Sequence, residues 1–241
     1  MNVKTNQQDH LQSYFLNETM PFIIHYPPNY EPTRKYRYLI AQDAQDFMQF
    51  GRLFKTIDQN INDNKLQEFI VILLPYESVK IRAQRCHPNG SEFLLYQRFI
   101  AEELVPYLDL KLPSFQDAKS RFLAGVSLGA TLSIALCLRY PSTFGKVCLF
   151  SPFLDEDMLE KCRTQTPVTL VVSHVYGTQE HHVDTTFGNP DCDFTTPNQH
   201  LEQIWCENLY YSSWTFEGGH TWKNWQQELS ASLQVFNEKE F

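Results

Sequence analysis

Gly125-Val-Ser127-Leu-Gly129 has the form G-x-S-x-G and joins an apolar run, Arg121–Val126, to a small-residue helical pattern, Leu128–Tyr140. That setting carries more than the five letters do. A serine at the apex of a tight strand-to-helix turn presents its hydroxyl at the end of a sheet, in a strained backbone conformation. The flanking glycines let neighbouring backbone come close. Ser127 then stands at the amino end of a helix, where free N–H groups and the dipole favour a developing oxyanion. The chemistry that suits this arrangement is attack on a carbonyl. A Gly/Ser turn that merely packs a helix on a strand has the same letters, so the choice rests on the partners.

A serine hydroxyl is a poor nucleophile until a base takes its proton. Among eight histidines, His220 lies in Phe216-Glu-Gly-Gly-His-Thr-Trp222, between the last predicted strand and the last predicted helix. It satisfies the chain order serine, acid, histidine, with the histidine on a late loop. An acid is then expected between them, to accept the imidazole N–H and steady the imidazolium. Glu180, just past a predicted strand at Val168–His174, is the first choice. Asp184 is the alternative acid, and Asp191 and Asp193 share the same long loop. His174, His181 and His182 sit beside these carboxylates and invite a metal site. There is no H-E-x-x-H and the spacing fits no helix face, so no metal is assigned and the imidazoles are expected to face solvent.

The elements that position these groups follow from alternation. Short β-rich runs at Phe22–Tyr26, Arg37–Ala41, Glu68–Pro75, Arg121–Val126, Lys146–Ser151, Val168–His174 and 209–216 alternate with helical patterns. That order predicts an α/β fold, a mostly parallel central sheet with helices on both faces. Phe22–Tyr26, stopped by Pro27-Pro28-Asn29, is expected in an edge hairpin. Helices are predicted over Phe93–Leu110, with Pro106 interrupting or kinking it, over Leu128–Tyr140, from an N-cap at Thr196 to about Glu207, and over Trp222–Phe236. Gly177–Asn198 is the least patterned stretch and too long for a simple connector.

The chain has 241 residues, 42% hydrophobic and 20% charged, which is ordinary for a globular protein. No repeat or linker divides it, so one domain over residues 1–241 is expected. Twenty basic against 28 acidic side chains give a net charge of −8, which disfavours a general nucleic-acid partner. No apolar run reaches the roughly 20 residues needed to span a bilayer, so no membrane insertion is expected. The polar Met1–His10 stretch lacks the apolar region of a secretory leader. Six scattered cysteines without C-x-x-C spacing read as reduced thiols, and a cytoplasmic location is expected.

Beyond the elbow, four stretches carry a resemblance. They are Tyr38–Phe47 followed by Gly51-Arg52, Arg82-Ala-Gln-Arg-Cys-His-Pro88, Tyr140–Pro152, and Gly218-Gly-His-Thr-Trp222 with Trp225. From about Phe22 onward, the chain resembles the esterase D-like branch of the α/β-hydrolases, which includes enterochelin esterase-like and feruloyl esterase-like proteins. The resemblance implies an α/β-hydrolase fold, Ser127 as nucleophile, His220 as base and Glu180 in the acid position. It also implies oxyanion donors at the backbone N–H of Leu128 and at a turn amide near Ala44 or Gln45, with Gln45 chosen. Two departures are visible. Ala44 replaces a turn glycine, and Arg85-Cys86 replaces Glu-Tyr in an R-x-x-E-Y-H-P stretch.

The expected activity is that of a serine carboxylic-ester hydrolase acting through an acyl-enzyme on a small-molecule ester, with no cofactor. Acyl transfer, siderophore-lactone hydrolysis at the same site, and a non-catalytic binding protein of this fold remain as alternatives. Association into homo-oligomers is left open.

Overall fold

Phe69-Ile-Val-Ile-Leu73 and Arg121–Val126 are buried at every position, as central strands flanked by helices on both faces are. The computed structural model describes residues 5–208 and 210–237. In chain order, β1 (Asn6–Ser13) and β2 (Glu18–His25) form an antiparallel hairpin. Then come β3 (Arg37–Ala41), α1 (Ala44–Gln49), α2 (Leu53–Asn62) and β4 (Phe69–Leu73). Next are α3 (Val79–Cys86), α4 (Phe93–Arg98), a π-helical segment (Phe99–Leu104), α5 (Val105–Lys111), β5 (Arg121–Val126) and α6 (Leu128–Arg139). The chain closes with β6 (Lys146–Phe150), α7 (Glu156–Gln165), β7 (Val171–Gly177), α8 (Thr195–Trp205), β8 (Tyr211–Phe216) and α9 (Trp222–Gln234).

Among the described residues the strands make one eight-stranded sheet in the order β1-β2-β4-β3-β5-β6-β7-β8. Strands β3 to β8 run parallel to their neighbours, and β2 lies antiparallel to β4. Alternation along each strand divides the core into two layers. Ile40, Ile72, Leu123, Leu149 and Val172 meet Phe99, Leu104, Leu132 and Leu136 on one face. Leu39, Val71, Phe122, Ala124 and Phe150 meet Phe47, Ile57, Leu229 and Leu233 on the other. Each of these side chains larger than alanine contributes about 1.5–3 kcal/mol by leaving water. The result is a stiff sheet whose carboxyl ends carry the loops of interest.

Several elements differ from expectation for identifiable reasons. The edge hairpin is present, but β2 starts earlier than Phe22, and its partner β1 is polar along most of its length and so lacks an apolar signal. The predicted helix Phe93–Leu110 is three pieces, and the interruption lies upstream of Pro106. Pro106 has no N–H for the carbonyl of Glu102, and the preceding turns widen so that Val105 N–H reaches Ile100 O. β7 begins three residues later than expected, because Val168 is 84% exposed. β8 begins at Tyr211; Leu209, the expected start, lies outside the described residues. α8 starts at Thr195, not after a Thr196 cap, and ends at Trp205. Its first turn is held by Asp193, which accepts from Thr196 N at 3.0 Å and from Thr196 Oγ at 2.6 Å. α1, α2, α3 and α7 were not anticipated; three are short or dominated by polar residues. α2 does carry a readable Leu53, Ile57, Ile61 stripe.

Candidate active site

β5 ends at Val126 and α6 begins at Leu128, leaving Ser127 alone to make the turn. Its backbone lies at φ 55° and ψ −122°, a region that costs a non-glycine residue about 1–3 kcal/mol. The surroundings hold it there. Ser127 N–H donates to Phe150 O on β6 at 2.9 Å, and its carbonyl accepts from Ala130 N and Thr131 N at 3.0 and 3.1 Å. The crossing requires Gly125 and leaves Gly129 little space. A Cβ on Gly125 would lie 2.2 Å from the Gly129 carbonyl carbon, and one on Gly129 would lie 3.1 Å from Asp43 Oδ2. Ser127 is 8% exposed and lines a cavity of about 330 Å³ together with His220.

His220 lies on the loop between β8 and α9. Asn224 Nδ2 donates to Gly219 O at 2.7 Å and Thr221 N–H to the same carbonyl at 2.9 Å, which fixes the loop. The imidazole packs 3.9 Å from the Phe194 ring and meets Trp225 edge to face at 4.6 Å. Its Nδ1 is 3.2 Å from Glu180 Oε2. Glu180 is fully buried, so its carboxylate needs partners to offset lost hydration. The second oxygen, Oε1, accepts from Ser151 Oγ at 2.9 Å, and that hydroxyl accepts from Trp225 Nε1 at 2.9 Å. The backbone of Glu180 is clamped as well. Its N–H donates to Thr195 Oγ at 3.1 Å, and its carbonyl accepts from Phe194 N at 2.8 Å. Gly177 leaves room for this carboxylate, since a Cβ there would come within 2.7 Å of Glu180 Oε1.

The structure therefore brings Glu180 against His220, while Asp184 is exposed on the cavity rim and accepts from Asp191 N at 3.3 Å. Asp193 caps α8 and pairs with His181 at 3.2 Å; Asp191 pairs with His182 at 2.7 Å. Leu128 is the first residue of α6, so its N–H is among those the helix itself leaves without an acceptor. Of the two turn amides, Ala44 already donates to Leu74 O at 3.1 Å. Gln45 is the second residue of α1, flanked by the cavity-lining Asp43 and Asp46, and its side chain is bonded to the backbone of Tyr76. The positive φ of this turn falls on Asp43, at 58°, so Ala44 at the glycine position is helical and unstrained.

His181 and His182 are exposed, as expected, but His174 is not solvent-facing. It is fully buried on β7, with Nδ1 2.7 Å from Tyr211 Oη and Nε2 2.7 Å from Asn198 Oδ1. Asn198 gives both amide hydrogens to Pro152 O and Phe194 O, so its oxygen accepts and His174 carries its proton on Nε2. Burial lowers its pKa to about 4, although the bond to Asn198 works the other way. The imidazole is thus neutral in the native state, while an unfolded chain protonates it below about pH 6.5. Stability is expected to fall by up to roughly 3 kcal/mol as pH drops from about 6.5 to 4, with no further loss from this group below that. Urea unfolding across this range checks it; the slope should flatten in His174→Gln, and a wild-type-like slope in that variant would remove His174 as its source.

Three features of the site escaped the sequence reading. The first is a part-buried ion pair. Arg82 on α3 donates through Nε and Nη2 to the two oxygens of Asp43, at 2.6 and 2.7 Å, and through Nη2 to Val126 O at 3.3 Å. Burial opposes the guanidinium charge, but Asp43 outweighs it and the pKa is raised. The second is Tyr76, whose hydroxyl donates to Asp46 Oδ2 at 3.1 Å. The third is the Trp225–Ser151 support behind Glu180. Arg82 opens the Arg82–Pro88 stretch and was therefore within reach; the other contacts join residues far apart in sequence. In the same stretch Arg85 pairs with Glu18 and Glu92, and burial pushes the Cys86 thiol up to about 12.

Residues 13–236 match the family described as Putative esterase. The chain is 38% identical over 232 residues to the uncharacterized protein YjcH of Bacillus subtilis strain 168, covering 95% of this chain and 96% of that one. Among solved structures, a ferulic acid esterase superposes with a TM-score of 0.72 at 16% identity, over 96% of each chain. The enterochelin esterase of Shigella flexneri superposes at 0.80 with 16% identity, over 98% of this chain but 59% of its own. Identities this low speak to the shared α/β-hydrolase architecture. No helix among the described residues is long and apolar enough to cross a membrane.

Proposed function

The chain belongs to the Putative esterase family and is an esterase of α/β-hydrolase fold, and from that premise we propose a serine mechanism. Ser127 Oγ attacks the ester carbonyl while its proton passes to His220 Nε2. Glu180, hydrogen-bonded at Nδ1, holds the imidazole in the tautomer that leaves Nε2 free and steadies the imidazolium that forms. The tetrahedral oxyanion is met by the N–H groups of Leu128 and Gln45, at the amino ends of two helices. One such donor is typically worth about 10²–10³ in rate. The intermediate collapses, the alcohol leaves with the proton from His220, and Ser127 carries the acyl group. Water, deprotonated by His220, then repeats the addition, and carboxylic acid is released as Ser127 regains its proton.

The observation that carries this proposal is the buried Glu180 paired with His220, which lines the same cavity as a strained Ser127. Six free thiols, four of them buried, support a reducing compartment such as the cytoplasm. The test is covalent. A fluorophosphonate should add its phosphorus to Ser127 Oγ with loss of fluoride, giving one adduct that peptide mapping places on this residue. Labelling should vanish when the protein is first denatured. Folded protein that takes no label points instead to a binding protein.

A further inference from the structure

The side chains around the cavity are unequal in charge. Among the described residues three carboxylates line it, Asp43, Asp46 and Asp184, against one permanent cation, Arg82. That cation is already committed, because both its bidentate contacts go to Asp43 and its remaining short contact goes to the Val126 carbonyl. With Asp43 and Arg82 neutralising each other, Asp46 and Asp184 leave the wall negative. Asp46 is half-buried, and its pKa is raised by burial first and then by the neighbouring Asp43, while Tyr76 and Arg82 pull it back. A carboxylate in that condition gains from a positive charge brought close to it.

The apolar part of the wall has a matching character. Phe50, Tyr76 and Trp222 line the same space as Asp46, and Phe50 is 49% exposed. Aromatic faces attract cations, and an ammonium group held by rings with a carboxylate behind them is a recurrent mode of recognition. A cavity of about 330 Å³ lies at the small end of ligand sites, which favours a compact ester. The overall charge of −8 steers in the same direction at long range.

We propose, on the premise that Ser127 is an ester nucleophile, that this site selects esters carrying an ammonium group close to the scissile carbonyl, held by Asp46 and the rings of Phe50, Tyr76 and Trp222. Anionic esters are disfavoured by the same wall.

The test compares pairs of equal shape and different charge. On the alcohol side the pair is acetylcholine and 3,3-dimethylbutyl acetate; on the acyl side it is the 4-nitrophenyl esters of 4-(trimethylammonio)butanoate and 5,5-dimethylhexanoate. In at least one pair the cationic ester should have a kcat/KM about tenfold higher, carried mainly by KM. That ratio should fall toward one in Asp46→Asn, and partly in the exposed-site variant Asp184→Asn, which spares buried structure. Raising the salt from 0.05 to 0.5 M should shrink it in the wild type. Ratios near or below one in both pairs, with the neutral esters turned over, overturn the charge selection and leave the esterase proposal standing. Calorimetric binding of choline against 3,3-dimethyl-1-butanol, and of 4-(trimethylammonio)butanamide against 5,5-dimethylhexanamide, reads the same preference without turnover. Equal affinities in both pairs overturn it even in a protein that hydrolyses nothing, an outcome that separately removes the serine mechanism.

Discussion

Ser127→Ala is expected to lower kcat for any ester substrate by about 10⁵–10⁶-fold while leaving the protein folded. On the proposed mechanism the loss is that of the atom that takes up the acyl group, and the fold is kept because the His220–Glu180 pair makes no contact that depends on the serine hydroxyl among those described. The backbone is unchanged, since alanine at φ 55° and ψ −122° carries the same Cβ and the same strain as serine. Steady-state kinetics on purified variant and wild type, with urea unfolding alongside, check both halves. A variant that keeps more than about a hundredth of the wild-type rate places the nucleophile elsewhere.

Glu180→Gln is the second, with an expected fall in kcat of about 10³–10⁴-fold. The size follows from hydrogen-bond direction. Ser151 donates its hydroxyl hydrogen to one oxygen of this side chain, so a glutamine keeps its oxygen there and turns its NH₂ toward His220. Nδ1 is then obliged to accept, the ring proton moves to Nε2, and the base can no longer take a proton from Ser127. Loss of the negative charge removes the stabilisation of the imidazolium as well. Asp191→Asn, on the outer part of the same loop, is expected to stay within about twofold of wild type, as surface changes usually do. Near-normal kcat in Glu180→Gln together with a hundredfold loss in Asp184→Asn would transfer the acid role to Asp184.

The parts of the molecule that the sequence disclosed are those where one residue type answers to one constraint. Gly125 is demanded by a backbone crossing with no room for Cβ, and Gly129 packs closely on the side chains of Asp43 and Gln42, so the elbow was readable from five letters. β3 and β5 were readable to the residue because strands buried on both faces admit little but apolar side chains. β1 was not, because an edge strand with one face in water can be Asn-Gln-Gln-Asp-His-Leu-Gln-Ser. At the site, Glu180 and Asp184 were separated by proximity to a strand end, but what distinguishes them in space is Ser151 and Trp225, which lie 29 and 45 positions away from Glu180 and announce nothing locally. The Asp43–Arg82 pair was hidden for the same reason, since two charged residues 39 positions apart read as two solvated side chains. His174 inverts the case. Next to two surface histidines in sequence it looked like a third, yet a buried strand position and two hydrogen bonds decide its state.

The division between what holds Ser127 and what surrounds it has an evolutionary consequence. Ser127, Glu180 and their supports are pinned to strand ends by Gly125 and Gly177, where a Cβ would collide with backbone, and by a buried polar chain that runs through Ser151 to Trp225. Val183, Asp184, Thr185, Thr186 and Phe187, by contrast, reach the cavity from a loop that leaves the sheet after Glu180 and returns at α8, with several of its residues in water. Mutations therefore arrive at this cavity by two routes of very different tolerance. A lineage can exchange the rim, residue by residue or as a whole loop, and so drift across substrates without passing through an inactive ancestor. The same lineage has almost no neutral steps available at the elbow. Diversity among descendants of such a chain should accumulate on the loop between Glu180 and Asp193 long before it touches the turn at Ser127.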